Sequence, residues 1–207
     1  MITKEVIVLA DGQFPEHAVP LRLLNSGKSI ICCDGAAIKL VKSGLIPEIV
    51  IGDLDSLTEE FKIKFSDRLI HDPDQETNDL TKAVNYCIQQ GVQKIYILGA
   101  TGLREDHTLG NISLLVSYSS KILVEMYTDT GFFIPVLSSQ RIKTYPGQQI
   151  SIFSLTPNVP LTLKNLRFPL NKYQLEAWWQ GTLNEAIDDW FDIEFEGGMF
   201  IVFALYE

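Results

Sequence analysis

Over roughly the first 130 residues, short apolar runs rich in β-branched side chains alternate with stretches of helical spacing. Residues 6–9, 29–33, 48–52, 68–71, 94–98 and 121–127 read as strands, and the intervals between them are long enough for one helix each. The clearest helical stripe is Leu80, Ala83, Val84, Cys87 and Ile88, closed by Gly91. Strands that are apolar on both faces and separated by helices call for a parallel sheet covered on each side. The expectation for this region is therefore α/β, a doubly wound and mostly parallel sheet.

From about Gly131 the period changes. Residues 132–137, 141–145, 149–155, 161–167, 174–179, 192–196 and 199–205 are short β-type runs with little helical spacing. Turn signals divide several of them, at Pro146-Gly147, Pro157-Asn158 and Gly197-Gly198. This part reads as all-β, an antiparallel β-sandwich. The chain thus divides into two domains, at residues 1–130 and 131–207.

The 207 residues carry a formal net charge of -9 with 46% hydrophobic and 21% charged positions, an ordinary globular composition. Such acidity argues against a nucleic-acid or anionic-membrane partner, and an acidic protein that handled phosphates would need cations, magnesium first among them. No window approaches 18 uninterrupted apolar residues, and the opening Met1-Ile2-Thr3-Lys4-Glu5 is no secretory start, so a soluble cytoplasmic protein is expected. Cys32, Cys33 and Cys87 lack zinc-site spacing and read as reduced core residues.

The candidate chemistry lies in the loops that leave the strands of the first domain. Asp11-Gly12 comes after the first strand, Asp34-Gly35 after the second, Asp53 and Asp55 after the third, and Asp72 and Asp74 after the fourth. Gly99-Ala100-Thr101-Gly102, then Arg104 and Asp106, come after the fifth. In a parallel sheet these loops emerge at one edge, where open α/β sheets bind ligands. In extended chain, residues two apart face the same way, so Asp53 and Asp55 can address one point. Carboxylates gathered there repel one another unless a cation or a proton intervenes. A plainer account also exists: a single Asp after a strand is commonly a helix cap, and Ser56 with Glu59 could form a capping box. Asn78 suits an N-cap, and Asp79 suits the first turn beyond it. The chain has neither a G-x-x-x-x-G-K-[ST] phosphate loop nor a G-x-G-x-x-G after its first strand. Phosphate would thus be held by metals, backbone amides and a few basic groups, with the Arg104 fork the leading candidate. The alternative for Arg104 is a surface pair with Glu105 or Asp106, worth little.

Taken together, Asp34-Gly35-Ala36, Gly52-Asp53-Leu54-Asp55-Ser56, Asp74-Gln75 with Asn78-Asp79, and Gly99-Ala100 with Arg104, Asp106 and Asn111 resemble thiamine pyrophosphokinase in order and spacing. The resemblance covers the whole α/β domain, and the β domain fits in position and size. It implies transfer of pyrophosphate from ATP to the hydroxyl of thiamine, giving thiamine diphosphate and AMP. On that likeness Asp53, Asp55 and Asp79 would hold Mg2+, and Arg104 and Asp106 would complete the catalytic set. Asp34, Ser56, Gln75, Asn78 and Arg104 would line the ATP site. Departures from the family pattern are Asn78 in place of Thr, Leu103 before the arginine, and Leu183 where Ser is common. In the β domain, Gly181-Thr182-Leu183-Asn184-Glu185 looks like the family's substrate motif, and Trp178 and Trp179 offer aromatic faces to thiamine beside Asn184. If residues 174–179 form a strand, only one of the two tryptophans can face the ligand. The resemblance further implies a homodimer whose active sites are shared between the α/β domain of one subunit and the β domain of the other. Other readings are a related pyrophosphoryl or phosphoryl transferase on another small alcohol, a metal-dependent phosphohydrolase, and a non-catalytic thiamine- or nucleotide-binding regulator.

Overall fold

A computed structural model describes residues 2–207 and divides them into two compact units. The first ends at Asp129; the second comprises Leu115–Ser120 and Thr130–Glu207.

In the first unit, β1 (Glu5–Leu9), β2 (Ser29–Cys33), β3 (Ile49–Gly52), β4 (Leu69–His71), β5 (Lys94–Leu98) and β6 (Leu123–Tyr127) lie in the order β6-β5-β1-β2-β3-β4. Every neighbouring pair is parallel. Helices α1 (Ala18–Leu24), α2 (Ala36–Lys42) and α3 (Glu59–Lys64) cover one face, where Leu24, Leu40 and Phe61 pack with Ile7, Leu9, Cys32 and Val50. Helix α4 (Asp79–Gln89) lies against β1, β2 and β3 with Leu80, Ala83, Val84 and Cys87 buried, as its stripe predicts. Helix α5 (Glu105–Ser119) comes after β5. The doubly wound parallel sheet is thus observed, and its strands match the apolar runs to within a residue or two.

The chain adds β2, β3 and β4 on one side of β1, then returns to lay β5 and β6 on the other. The order therefore reverses between β1 and β5, and at such a switch point the two outgoing loops diverge and leave a crevice. Here the loops are also stitched at their base: Ala10 N–H donates to Leu98 O (2.9 Å), Gly12 N–H to Gly99 O (2.6 Å) and Gln13 N–H to Thr101 O (2.9 Å). A Cβ on Gly12 would stand 2.4 Å from Gly99 O, so this approach requires glycine.

The second unit contains two antiparallel layers. One has the order β12-β9-β14-β7, from β7 (Gly131–Val136), β9 (Gln149–Ser154), β12 (Asn184–Glu185) and β14 (Phe200–Leu205). The other has the order β11-β10-β13-β8, from β8 (Gln140–Lys143), β10 (Pro160–Lys164), β11 (Leu170–Gln174) and β13 (Trp190–Glu194). Their inner faces share one core: Ile150, Ile152, Phe200 and Val202 meet Leu161, Leu163, Phe191 and Ile193. That is a β-sandwich. Gly147, Asn158, Gly197 and Gly198 all have positive φ, at the turn signals read from the sequence.

The stretch from 168 to 186 differs from expectation: β11 and β12 form where no strand was read. Residues 174–179 are not a strand: β11 ends at Gln174, and Trp178–Gly181 is a short 3-10 helix. The cause is local. The Gln180 side-chain oxygen accepts from Glu176 N–H (2.7 Å) and Ala177 N–H (3.0 Å), diverting the backbone from a ladder into a turn. Gly181 permits the turn, because a Cβ there would stand 2.0 Å from Ile152 O. The alternation argument for choosing between the two tryptophans therefore does not apply.

Candidate active site

The first unit presents its loops at the carboxyl edge of the sheet, around a cavity of about 390 Å³. Asp11 and Gly12 enter it from β1, Cys33 and Asp34 from β2, Ser56 from the loop after β3, and Asn78 to Leu80 from the start of α4. Ala100, Thr101, Leu103 and Arg104 come from the loop after β5, with His107, Thr108 and Asn111 on the first turns of α5.

Beside this cavity, oxygen atoms of Asp34, Asp53 and Asp79 lie within 4.8 Å of one another. Each arrives by a different route. Asp34 leaves β2 in a left-handed conformation (φ 37°), with its N–H on Ile51 O at 3.0 Å. Asp53 is the first residue beyond β3. Asp79 opens α4, whose N-terminus Asn78 caps by accepting from Thr81 N–H (2.9 Å). Gly52 provides the room: a Cβ there would stand 3.0 Å from Asp34 Cβ and 3.2 Å from Asp79 Cγ.

Asp34 is only 6% exposed. Its Oδ2 accepts from Ser56 N–H at 3.2 Å, while its buried Oδ1 has no hydrogen-bond partner among the described residues. Burial raises its pKa, the charges of Asp53 and Asp79 raise it further, and the Ser56 hydrogen bonds act in the opposite sense. A buried acceptor left without a donor costs stability unless something outside the chain satisfies it.

Asp55 is exposed and stands outside the three-carboxylate group. The two-residue alternation that would aim it with Asp53 ends with β3 at Gly52. Leu54 then turns left-handed (φ 63°), and Asp55 N–H folds back onto Asp53 Oδ1 at 3.2 Å. Gln75 is likewise exposed and bonds only weakly to Pro73 O (3.4 Å). Asn78 borders the cavity and reaches Asn111 Oδ1 at 3.3 Å; Asn111 in turn holds Ala100 O at 2.8 Å. The carbonyls of Gly99, Ala100 and Thr101 are thus all occupied by protein donors, which leaves the N–H side of that loop as what it can offer an anion.

Arg104 and Asp106 form a two-pronged pair, Nε to Oδ1 at 3.1 Å and the terminal nitrogen to Oδ2 at 2.5 Å. With His107 N–H as a third donor, this holds the Asp106 carboxyl at a pKa of about 2 and raises that of Arg104. Both side chains are largely exposed, so the pair adds little stability and is readily given up for a better partner.

Two residues that sequence reasoning did not select support these loops. Lys39 grips the β1 loop, reaching Asp11 Oδ1 (2.8 Å), Asp11 O (3.0 Å) and Gly12 O (2.8 Å). Lys82 is buried in α4 with its ammonium on Asp79 Oδ1 (3.1 Å) and Asp72 O (3.0 Å). Helical spacing puts Lys82 roughly 200° from Leu80, on the side expected to face solvent. From outside the helix its ammonium is held by Asp72 O, a contact that no local signal announces.

In the second unit, Trp179 is 74% exposed, whereas Trp178 is anchored by its indole N–H on Ser154 O (3.1 Å) and by edge contact with Phe153. The Asn184 side chain is buried and fully committed to backbone: it donates to Phe168 O (2.8 Å) and accepts from Phe168 N–H (3.0 Å) and Glu185 N–H (2.9 Å).

The fold and site thus define a class: an α/β unit with an acidic ligand edge at its switch point, joined in one chain to a β-sandwich. The chain belongs to the thiamin pyrophosphokinase family. Residues 21–126 match the model of the thiamin pyrophosphokinase catalytic domain, and residues 131–203 match that of its substrate-binding domain. The chain is 31% identical over 105 residues to thiamin pyrophosphokinase 1 of Caenorhabditis elegans, covering 46% of this chain and 43% of that one. It is 29% identical over 150 residues to thiamine pyrophosphokinase of Bacillus subtilis, covering 67% and 68%. These matches therefore span less than half of the nematode protein and about two thirds of the bacterial one. A crystal structure of a thiamin pyrophosphokinase family protein from Enterococcus faecalis superposes with a TM-score of 0.84 at 22% identity, over 98% of this chain and 99% of that one.

Proposed function

We propose that this chain transfers the pyrophosphoryl group of ATP to the hydroxyl of thiamine, giving thiamine diphosphate and AMP. The observation that carries the proposal is the convergence of Asp34, Asp53 and Asp79 beside a cavity bordered by Arg104, in a chain of this family.

The donor set is entirely carboxylate oxygen, which suits a hard divalent cation, and the partnerless buried Oδ1 of Asp34 fits the same need. In this reading Asp34, Asp53 and Asp79 would hold Mg2+, with Asp55 outside the set. The bound cation would neutralise phosphate charge as it moves to the leaving nucleotide. Arg104 leaves Asp106 to bind phosphate oxygens, its fork matching two of them at once. While the pair is intact, Arg104 and the His107 N–H hold Asp106 ionised. Once Arg104 has gone to phosphate, the freed Asp106 carboxylate keeps the His107 N–H and is a better base, suited to orienting the thiamine hydroxyl and accepting its proton late. Ser56 keeps Asp34 aligned, and Asn78 and Asn111 fix the loop facing the phosphates. Such chemistry asks mainly for positioning and charge neutralisation.

In the second unit the exposed face of Trp179 is the first candidate for stacking on thiamine, with Trp178 behind it and Asn184 shaping the Phe168 backbone. The reading includes a homodimer with shared active sites and a cytoplasmic location. No helix among the described residues is long and apolar enough to cross a membrane.

The test is product analysis after incubation with thiamine, ATP and magnesium. Equimolar AMP and thiamine diphosphate supports the proposal. ADP with thiamine monophosphate would indicate an ordinary kinase, phosphate release without thiamine a hydrolase, and binding without product a regulator.

A further inference from the structure

The Lys82 ammonium stands out because its side chain is only 3% exposed, and a lysine is rarely buried without a dedicated partner. Its two contacts join the elements that carry the carboxylates. Asp72 N–H donates to Gly52 O at 2.8 Å, Asp72 O accepts from Lys82 Nζ at 3.0 Å, and Lys82 Nζ holds Asp79 Oδ1 at 3.1 Å. The place where a Gly52 Cβ would stand is 3.2 Å from Asp79 Cγ, which closes the ring. The backbone that presents Asp53 and the helix that presents Asp79 are therefore tied through one ammonium group.

We infer that Lys82 is a positioning residue and the resident counter-charge of the carboxylate cluster. It fixes one oxygen of Asp79 and leaves the three acids with a net charge that a single divalent ion can balance. The inference rests on the cation-binding reading given above. Three ionised carboxylates carry three negative charges; the ammonium offsets one, and two remain. With no cation bound, Lys82 limits the mutual repulsion, so its removal should be felt most when magnesium is absent.

The experiment measures the thermal midpoint of the full chain, without substrates, in EDTA and across a magnesium titration, for wild type, Lys82→Met and Lys82→Arg. In EDTA, Lys82→Met should lower the midpoint by about 6–12 °C, the low end of the loss of one buried partner, because Asp79 is a third exposed. Saturating magnesium should erase more than half of that deficit. The magnesium concentration giving half the shift should fall roughly tenfold, because the cluster has gained one uncompensated charge. Lys82→Arg should retain the wild-type pattern. If Lys82→Met cannot be purified, Lys82→Gln, which keeps a donor but no charge, carries the same expectations. A deficit equal in EDTA and in magnesium would show that Lys82 only packs the helix and would overturn the inference alone. A wild-type midpoint indifferent to magnesium would overturn both the inference and the metal reading beneath it.

Discussion

Replacing Asp34 by Asn should make the protein more stable when no divalent ion is present. The amide keeps an acceptor for Ser56 N–H, so that 3.2 Å hydrogen bond to the side chain survives. What disappears is a buried negative charge whose Oδ1 has no donor and whose neighbours, Asp53 and Asp79, present oxygens within 4.8 Å. At that separation each like-charge pair costs about 1 kcal/mol at the dielectric of water and about 3 kcal/mol at that of a protein surface. Lys82 offsets part of this, so a net gain of about 1–3 kcal/mol is expected, or roughly 3–8 °C in midpoint for a chain of this size. The pH dependence is set by the raised pKa. A carboxyl with a folded-state pKa above its ordinary value destabilises the fold only while ionised. The advantage of the variant should therefore be full above the raised pKa and shrink as pH falls through it. It should vanish below the ordinary value of 3.8, where Asp34 carries a proton folded and unfolded alike. Calorimetry of both proteins in EDTA from pH 4 to 8 measures this, and magnesium should stabilise the variant much less than wild type. A lower midpoint for the variant in EDTA at neutral pH would refute the reasoning and make Asp34 a structural residue.

Arg104→Ala should leave the midpoint unchanged, since its pair with Asp106 is exposed, while reducing kcat/KM for ATP by 100-fold or more if it binds charge that develops during transfer; steady-state kinetics beside thermal melts checks both. Gly52→Ala should disturb Asp34 and Asp79 together, the added Cβ standing 3.0 Å from one and 3.2 Å from the other, and should abolish the stabilisation by magnesium while the far-UV spectrum stays unchanged. Asn184→Ala strands the N–H and C=O of Phe168 and should cost about 1–3 kcal/mol in urea unfolding, whereas Trp179→Ala, at a 74% exposed site, should raise KM for thiamine without a stability change. A stability loss for Trp179→Ala with thiamine KM unaltered would shift the stacking role to Trp178.

The α/β architecture was legible because buried parallel strands are continuous apolar runs, as β1, β2 and β3 are, with the remaining strands read from their spacing between helices. The sandwich strands were legible wherever glycine, proline or asparagine marked a turn. The stretch around Trp178 and Trp179 was misread because aromatic residues favour strands, while one side chain, Gln180, recruits the backbone into a turn. Asp34, Asp53 and Asp79 announced themselves as acids after strands or at a helix start. Pairing Asp53 with Asp55 assumed an extended chain beyond Gly52, and the left-handed Leu54 breaks that assumption. Lys82 was illegible: periodicity places it on a polar flank, and its contact with Asp72 O exists only in the tertiary fold.

The most direct measurement is anomalous diffraction from crystals grown with Mn2+ and a non-hydrolysable ATP analogue. The account predicts a cation bonded to carboxylate oxygens of Asp34, Asp53 and Asp79 at about 2.0–2.2 Å, with the analogue's phosphates on its open side. A cation seated elsewhere, with those three acids unliganded while the nucleotide is bound, would contradict it.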